Sequence, residues 1–361
     1  MLNSKLGFHI QSPRYPDWLK RDVARSGAKY VKIINPDAGE ARPFGATVKY
    51  IGRLHFGVGE PDKELIWQDG AGADAWWQMA RPRISRCPWI NVWEGPNEPA
   101  VENEDRARAF VAFEQCRVEI MHQHGYQVAS GVFSTGCPFL SLWPVLGHAL
   151  ADTDFLALHA YGMKTMNLAN PLNAWHLLRH RKVVRALEEA GHRVPPIMIT
   201  ETGIDYGGHP QRDGWQAQGF TPQQYRDQIK AYDLALAEDP RVVVATPFTW
   251  LHDGWPSFDI HPTMSGLLAD YMQSANEGVS LEARIRQDAQ SWIVPLNPMA
   301  AFEREAETRG CLPAMTERDI IVAGVTYRYQ AFRHPDQRGR QFFAYAKAGD
   351  WSNVKWFQKE N

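Results

Sequence analysis

The sequence lacks the features that mark several large classes of protein. It has only four cysteines in 361 residues and no Cys-x-x-Cys pair, which excludes a cysteine-rich zinc site or a small domain stapled by disulfides. The cysteines are left as free thiols or as a single disulfide. Lys and Arg number 39 against 41 Asp and Glu, a net charge of −2, so the basic excess typical of nucleic-acid binding is missing. No apolar run approaches the ~18 residues of a membrane span. We therefore expect neither a nucleic-acid nor a membrane partner.

The first residues also lack a secretory leader, because Met1-Leu2-Asn3-Ser4-Lys5 contains no basic segment followed by an apolar one. This pattern fits a cytoplasmic protein and equally a secreted one whose leader has been removed, so localisation stays open, as does the oligomeric state. Tryptophan, by contrast, is abundant, with 14 residues. An indole can fill a core or stack on a flat ligand.

Eight β-rich runs alternate with helix-like stretches over most of the chain. Several runs are almost continuously apolar, which is typical of strands buried on both faces of a parallel sheet. Eight such alternations match a (β/α)₈ barrel, the TIM barrel, in number and size. The rival, a doubly wound open sheet, would more often have a glycine-rich turn after its first strand. The predicted strands are residues 6–10, 29–34, 50–56, 89–94, 127–133, 155–159, 196–201 and 242–248.

The helix signals are clearest in residues 102–124, 173–190 and 221–237. The last begins with Thr221-Pro222, an N-cap followed by proline at the first helical position. We expect the barrel to occupy residues 1–295. Residues 296–361 are expected to form a closing segment and a small antiparallel β unit with runs at 320–322, 325–329 and 341–346. That unit is interpreted either as a carbohydrate-binding module or as a β appendage without a ligand.

Two glutamates follow predicted strands and are flanked by turn residues. Glu98 lies in Asn97-Glu98-Pro99 after the fourth strand, and Glu201 lies in Thr200-Glu201-Thr202-Gly203 at the end of the seventh. The carboxyl ends of barrel strands open onto one face, so we expect both side chains in one cleft. Glycoside hydrolysis needs such a pair, one carboxyl group to protonate the leaving oxygen and one ionised to attack or to activate water.

These positions resemble the clan A glycoside hydrolases, retaining β-glycosidases built on (β/α)₈ barrels. The resemblance covers roughly residues 6–268, and it implies that Glu98 is the acid/base and Glu201 the nucleophile of a double displacement. It also implies that Asn97 binds the substrate 2-hydroxyl. His159-Ala160-Tyr161 resembles the His-x-Tyr of several clan families, in which the tyrosine hydroxyl contacts the nucleophile. The chain departs from the frequent Trp-Asn-Glu-Pro pattern, since a proline precedes Asn97, and the family within the clan is not identified.

The substrate of such an enzyme is an oligosaccharide or polysaccharide, whose sugar, linkage and exo or endo cleavage the sequence leaves open. Trp250 follows the eighth strand, where the clan often has a sugar-floor tryptophan, commonly after a non-proline cis peptide. Arg53 is a candidate because a guanidinium keeps a nearby carboxylate ionised. The predicted substrate-binding residues are Asn97, His159, Tyr161, Trp250, Arg53, His55, Trp93, Trp215 and Trp255.

Two other functions fit the same barrel. One is a non-catalytic carbohydrate-binding barrel, such as an adhesin, although such a protein would be expected to lose at least one glutamate. The other is a different barrel enzyme, such as a metal-dependent hydrolase or an aldolase. His252, Asp253 and His261 lack a second ligand pair at metal-binding spacing, so no metal and no cofactor are expected.

Overall fold

The computed structural model describes residues 3–12, 14–37, 39–252 and 254–276. Beyond these it describes residues 302, 306, 309, 311–314, 317–322, 324–334, 341–351 and 353–358. The chain divides into two compact units, of which the larger is Ser4–Gln273. The closing segment expected after residue 295 lies largely outside the described residues, which between 277 and 310 are Phe302, Ala306 and Arg309.

Eight parallel strands form the larger unit, and each pairs with the next in chain order. The strands are β1 Phe8–Ile10, β2 Tyr30–Ile34, β3 Lys49–Arg53, β4 Val92–Glu94, β5 Gln127–Phe133, β6 Phe155–Gly162, β7 Ile197–Ile204 and β8 Val242–Pro247. Parallel bridges join Leu6 to Ala245 and Ile10 to Trp250, so the first strand meets the last. The prediction of a (β/α)₈ barrel is confirmed.

The helices lie between the strands in the chain. They are α1 Asp17–Ser26, α2 Pro61–Leu65, α3 Asp69–Ile84, α4 Glu104–Gln123, α5 Trp143–Leu146, α6 Pro171–Leu177, α7 Arg179–Glu189, α8 Pro222–Leu236 and α9 Pro262–Asn276. The predicted helix 173–190 is two helices, since Leu178 leaves the helical conformation between α6 and α7. At the start of α8, the Thr221 and Gln224 side chains form the reciprocal cap that the sequence suggests. Among the described helices, none combines the length and apolarity needed to cross a membrane.

Apolar side chains fill the core of the barrel, and the polar groups lie toward the carboxyl ends of the strands. Trp93 on β4 packs so closely on β3 that a Cβ added at Gly52 would lie 2.7 Å from the indole ring, so only glycine fits there. The main core cluster is Tyr30, Ile51, Val92, Ala129, Val132, Ala157, Met198 and Val244.

The smaller unit contains an antiparallel sheet, as the sequence predicts. Its strands are β9 Leu312–Pro313, β10 Arg318–Val322, β11 Val325–Arg333, β12 Gln341–Lys347 and β13 Lys355–Gln358, with β10 to β13 in order and β9 also paired with β11. Tyr329, Phe332 and Phe343 are buried in it, whereas Trp351 is exposed. All four cysteines of the chain are free.

Candidate active site

The two glutamates meet at the carboxyl ends of the strands. Glu201 lies within β7, and Glu98 lies in the loop after β4 with a backbone φ of 47°. Its backbone N–H donates to the Val132 carbonyl at 3.0 Å. The left-handed conformation is unfavourable for a residue with a Cβ, so the surrounding structure must hold Glu98 there. One carboxylate oxygen of each glutamate and a ring nitrogen of His159 all lie within 4.8 Å of one another.

Both oxygens of Glu201 accept from donors on other strands of the barrel. Arg53 Nη1 on β3 lies 2.9 Å from Oε1, and Lys32 Nζ on β2 lies 3.3 Å from the same oxygen. The Tyr161 hydroxyl on β6 donates to Oε2 at 2.9 Å. Three strands therefore fix the position of this carboxylate, which is only 6 % exposed.

Electrostatics keep Glu201 ionised. Burial acts to raise the pKa of its carboxyl group, but His159 and the cations of Lys32 and Arg53 outweigh burial and hold that pKa well below its usual range. Burial and the neighbouring Glu201 charge raise the pKa of the Tyr161 hydroxyl, so the phenol stays protonated and donates its hydrogen bond.

Glu98 has different surroundings. Its Oε1 lies 2.7 Å from His159 Nδ1, and its side chain is 36 % exposed. In the described part of the chain, no Lys or Arg lies within 4.0 Å of this carboxylate. Both carboxylates lie near His159, but Glu201 also contacts two cations, whereas Glu98 faces the open cleft. This asymmetry suits the two carboxyl groups to different roles.

Arg53 links Asn97 to Glu201, because the same Nη1 donates to both the Asn97 and Glu201 side chains. His55 is further out, with 47 % of its side chain exposed. The predicted residues Glu98, Glu201, Asn97, Arg53, Tyr161 and His55 all line one cavity of about 520 Å³. His159 lies beneath it, since its ring is fully buried.

Three of the four predicted sugar-stacking tryptophans are buried elsewhere, which corrects that part of the prediction. Trp250 is 1 % exposed and donates from Nε1 to Ser265 Oγ at 3.1 Å. Trp93 is 0 % exposed, and Trp215 at 2 % stacks on Tyr225 with ring centroids 4.9 Å apart. None of these three indoles offers a face to a ligand, because packing covers them. Trp255 lines the cavity.

Phe248, which was not predicted to bind substrate, lines the cavity where Trp250 was expected. The non-proline cis peptide lies between Phe248 and Thr249, two residues before Trp250, and Phe248 lines the cavity beside Trp255 and Phe258. The signal was present, because Phe248 directly follows the apolar run of β8. Asp205 and His252 also line the cavity and were not predicted to bind substrate.

Trp255 and Trp250 make a matched pair for testing these assignments. We expect Trp255→Ala to weaken substrate binding by roughly 0.5–1.5 kcal/mol, the scale of an aromatic contact, with little loss of stability. Trp250→Ala should instead lower the free energy of unfolding by about 3–5 kcal/mol, because it empties a packed site. Denaturant unfolding and KM with an oligosaccharide substrate distinguish the two. Equal effects of both substitutions on KM would contradict the assignment.

Among the described residues, Glu98, His159 and Glu201 could ligate a metal ion, because each offers one ligand atom and these atoms lie close together. Lys32 and Arg53 beside Glu201 oppose a bound cation by charge repulsion. Asp253, named above as a metal candidate, lies outside the described residues.

No protein-family model and no curated protein matches the chain. Solved structures that resemble it include the following glycoside hydrolases. An endo-β-1,3-glucanase of glycoside hydrolase family 128, subgroup II, from Sorangium cellulosum is 17 % identical over 76 % of this chain and 97 % of that one, with a TM-score of 0.45. A subgroup I endo-β-1,3-glucanase from Amycolatopsis mediterranei, in complex with laminaritriose, is 14 % identical over 76 % and 100 %, with a TM-score of 0.45. A family 5 enzyme from Prevotella bryantii B14 is 14 % identical over 75 % and 99 %, again with a TM-score of 0.45.

Proposed function

We propose that this protein is a retaining glycoside hydrolase that cleaves β-glycosidic bonds by double displacement. The observation that carries the proposal is the pair Glu98 and Glu201, with carboxylate oxygens within 4.8 Å of each other at the carboxyl ends of β4 and β7. Retaining enzymes hold their two carboxyl groups ~5–5.5 Å apart, whereas inverting enzymes need ~6.5–9.5 Å to admit a water molecule. The short separation favours retention.

In the first step, a Glu201 oxygen attacks the anomeric carbon and forms a glycosyl ester. The bond from that carbon to the leaving oxygen breaks, and the Glu98 proton passes to this oxygen. In the second step, Glu98 takes a proton from water as the water oxygen attacks the same carbon, and the ester bond to Glu201 breaks. The sugar leaves with its original anomeric configuration, and both carboxyl groups return to their starting states.

The neighbouring side chains support these roles. Arg53 and Tyr161 orient Glu201 by donating to its two oxygens at 2.9 Å each. Asn97, held by Arg53, presents its amide to the cavity for the substrate 2-hydroxyl. His159 lies against Glu98 at 2.7 Å and orients it toward the leaving oxygen.

The substrate is an oligosaccharide or polysaccharide. The cavity has an aromatic wall of Phe248, Trp255 and Phe258, while polar side chains such as Asn35 and Asp205 also line it. Apolar sugar faces pack on aromatic rings, and sugar hydroxyls take up polar partners, so this division suits a pyranose chain.

Covalent labelling tests the proposal. The protein is incubated with a panel of 2-deoxy-2-fluoro aryl β-glycosides that differ in sugar, and the labelled peptide is identified by mass spectrometry. We expect a stoichiometric label on Glu201, and the fastest-reacting sugar reports the preference. A label on another residue would contradict the assignment of Glu201. Binding of oligosaccharides without hydrolysis or labelling would favour the non-catalytic barrel.

A further inference from the structure

A buried ion pair lies behind Glu201, away from the cleft. Lys32 Nζ lies 3.0 Å from Glu94 Oε2 and 3.3 Å from Glu201 Oε1, and it also donates to the Thr200 carbonyl at 3.2 Å. The side chains of Lys32 and Glu94 are both 0 % exposed. Neither residue lines the cavity. Lys32 therefore bridges the carboxylate that faces the substrate and a second carboxylate that cannot reach it.

The buried ion pair of Lys32 and Glu94 is not an efficient way to stabilise the fold. Burying an ion pair removes two charges from water, and apolar side chains of similar volume often serve a core as well or better. Neither carboxylate oxygen of Glu94 accepts a hydrogen bond within the described residues, so Lys32 contacts Glu94 as an ion pair and the carboxylate is incompletely satisfied. A cost of this kind beside a reactive carboxylate points to a role in its chemistry.

The charges around Glu201 balance in one state of the site. Lys32 and Arg53 supply two positive charges, and Glu94 and Glu201 supply two negative ones. These four charges sum to zero, so they balance in the first step, in which Glu98 carries the proton that it donates. Esterification removes the Glu201 charge, and ionisation of Glu98 then restores the balance for the second step.

We propose that Lys32 and Glu94 are positioning residues that act as a pair to set how strongly Glu201 is held as an anion. Lys32 keeps the nucleophile ionised and oriented. Glu94 also interacts with Lys32 and so weakens its attraction for Glu201. Lys32 and Arg53 together then do not stabilise the Glu201 anion so strongly that it cannot attack. This inference rests on the proposed function, because it assigns the pair to the nucleophile of that reaction.

Other groups face Glu201, and the test must separate the pair from them. Asp205 follows β7 in the chain. Besides Lys32 and Glu94, five further groups surround the site: His9 from β1, Arg53 from β3, Glu98 from the loop after β4, and His159 and Tyr161 from β6. Arg53, Glu98, Tyr161 and Asp205 line the cavity. Their substitution changes substrate contacts as well as charge, whereas substitution of Lys32 or Glu94 changes the charge beside Glu201 without removing a group that lines the cavity.

The test is the pH dependence of kcat/KM for an aryl β-glycoside. Loss of a cation disfavours the ionised carboxylate, so Lys32→Met should move the acid limb to higher pH by roughly one unit or more. Well above that limb, kcat/KM should change much less. Because Glu94→Gln removes an anion, the acid limb of this variant should not move to higher pH. The rate of attack by Glu201 should fall. In the double variant K32M/E94Q, the acid limb should lie at lower pH than in Lys32→Met, because the Glu94 carboxylate is removed together with its partner Lys32.

Controls separate this role from a structural one. Lys32→Arg keeps the charge and should keep the acid limb near that of the wild type. The matched pair Arg117 and Glu114 is also buried, with a 2.7 Å contact, and Glu114→Gln should lower stability without moving the limb. If Lys32→Met does not fold, K32M/E94Q can be compared with Glu94→Gln. This comparison measures the same loss of Lys32 and does not leave the Glu94 carboxylate buried without its partner.

The outcomes discriminate between the two proposals. An acid limb that coincides in the wild type and in Lys32→Met, or an equal loss of kcat/KM at every pH, would overturn the inference and leave Glu201 as the nucleophile. A wild-type protein that neither cleaves β-glycosides nor takes the fluorosugar label would overturn both.

Discussion

Replacement of Glu201 by alanine is expected to lower kcat/KM for an aryl β-glycoside by roughly 10⁴-fold or more, the scale of losing an attacking side chain. The physical reason is its environment. Arg53 and Tyr161 each donate to Glu201 at 2.9 Å, and its pKa is held well below the usual range. Among the described residues that line the cavity, no other carboxylate accepts from both an arginine and a tyrosine. Steady-state kinetics with circular dichroism as the check on folding measure the effect.

Azide gives this experiment a qualitative readout. The Glu201→Ala variant leaves room for azide to attack the anomeric carbon from the side that the carboxylate occupied, while Glu98 still protonates the leaving oxygen. A single displacement inverts the centre, so an α-glycosyl azide should form. The control Glu201→Gln fills the space and should not be rescued. Near wild-type activity in Glu201→Ala, or a β-glycosyl azide as the product, would contradict the nucleophile assignment.

Replacement of Glu98 by alanine should have an effect that depends on the leaving group. For a poor leaving group such as a sugar, loss of general acid catalysis should lower kcat/KM by about 10²–10⁴-fold. A dinitrophenolate needs little proton assistance, so kcat/KM for that aglycone should fall much less. Its kcat should still fall, since water then attacks the glycosyl-enzyme without a general base. A plot of log(kcat/KM) against leaving-group pKa measures the difference in slope.

Azide again identifies the role. In Glu98→Ala, azide should intercept the glycosyl-enzyme, raise kcat for the dinitrophenyl substrate and yield a β-glycosyl azide, because two inversions give retention. Asp205→Asn is the matched control, since Asp205 also contributes a carboxylate to the cavity. It should show neither the change in slope nor the azide product. A uniform loss of activity for all leaving groups would count against Glu98 as the acid/base.

Much of the barrel could be predicted from the pattern of residues. Strands buried on both faces are largely apolar, and the eight β-rich runs of the sequence coincide with β1 to β8 to within a few residues. The meeting of Glu98 and Glu201 in one cavity could be predicted from topology alone. Parallel strands in a closed barrel all end on one face, so residues about a hundred positions apart become neighbours.

The tryptophans could not be assigned in this way. Trp250 and Phe248 both follow β8, but Phe248 lines the cavity, whereas Trp250 is buried with its Nε1 on Ser265. Local sequence indicates that an aromatic residue follows a strand. It does not indicate which of two nearby rings faces the cleft, because that depends on the path of the backbone after the strand and on partners far away in the chain.

The sequence is enough to predict the kind of barrel, the order of its strands and the two glutamates at their ends, because these follow from local periodicity and from the rule that parallel strand ends converge. The tertiary structure is needed to identify which polar residues act together. Lys32 and Glu94 stand inside apolar runs, and nothing nearby in the chain marks them as partners. Closure of the barrel brings them to 3.0 Å from each other and brings Lys32 to 3.3 Å from Glu201. Charge interactions depend on distance in space, so the environment of the nucleophile could be read only from the fold.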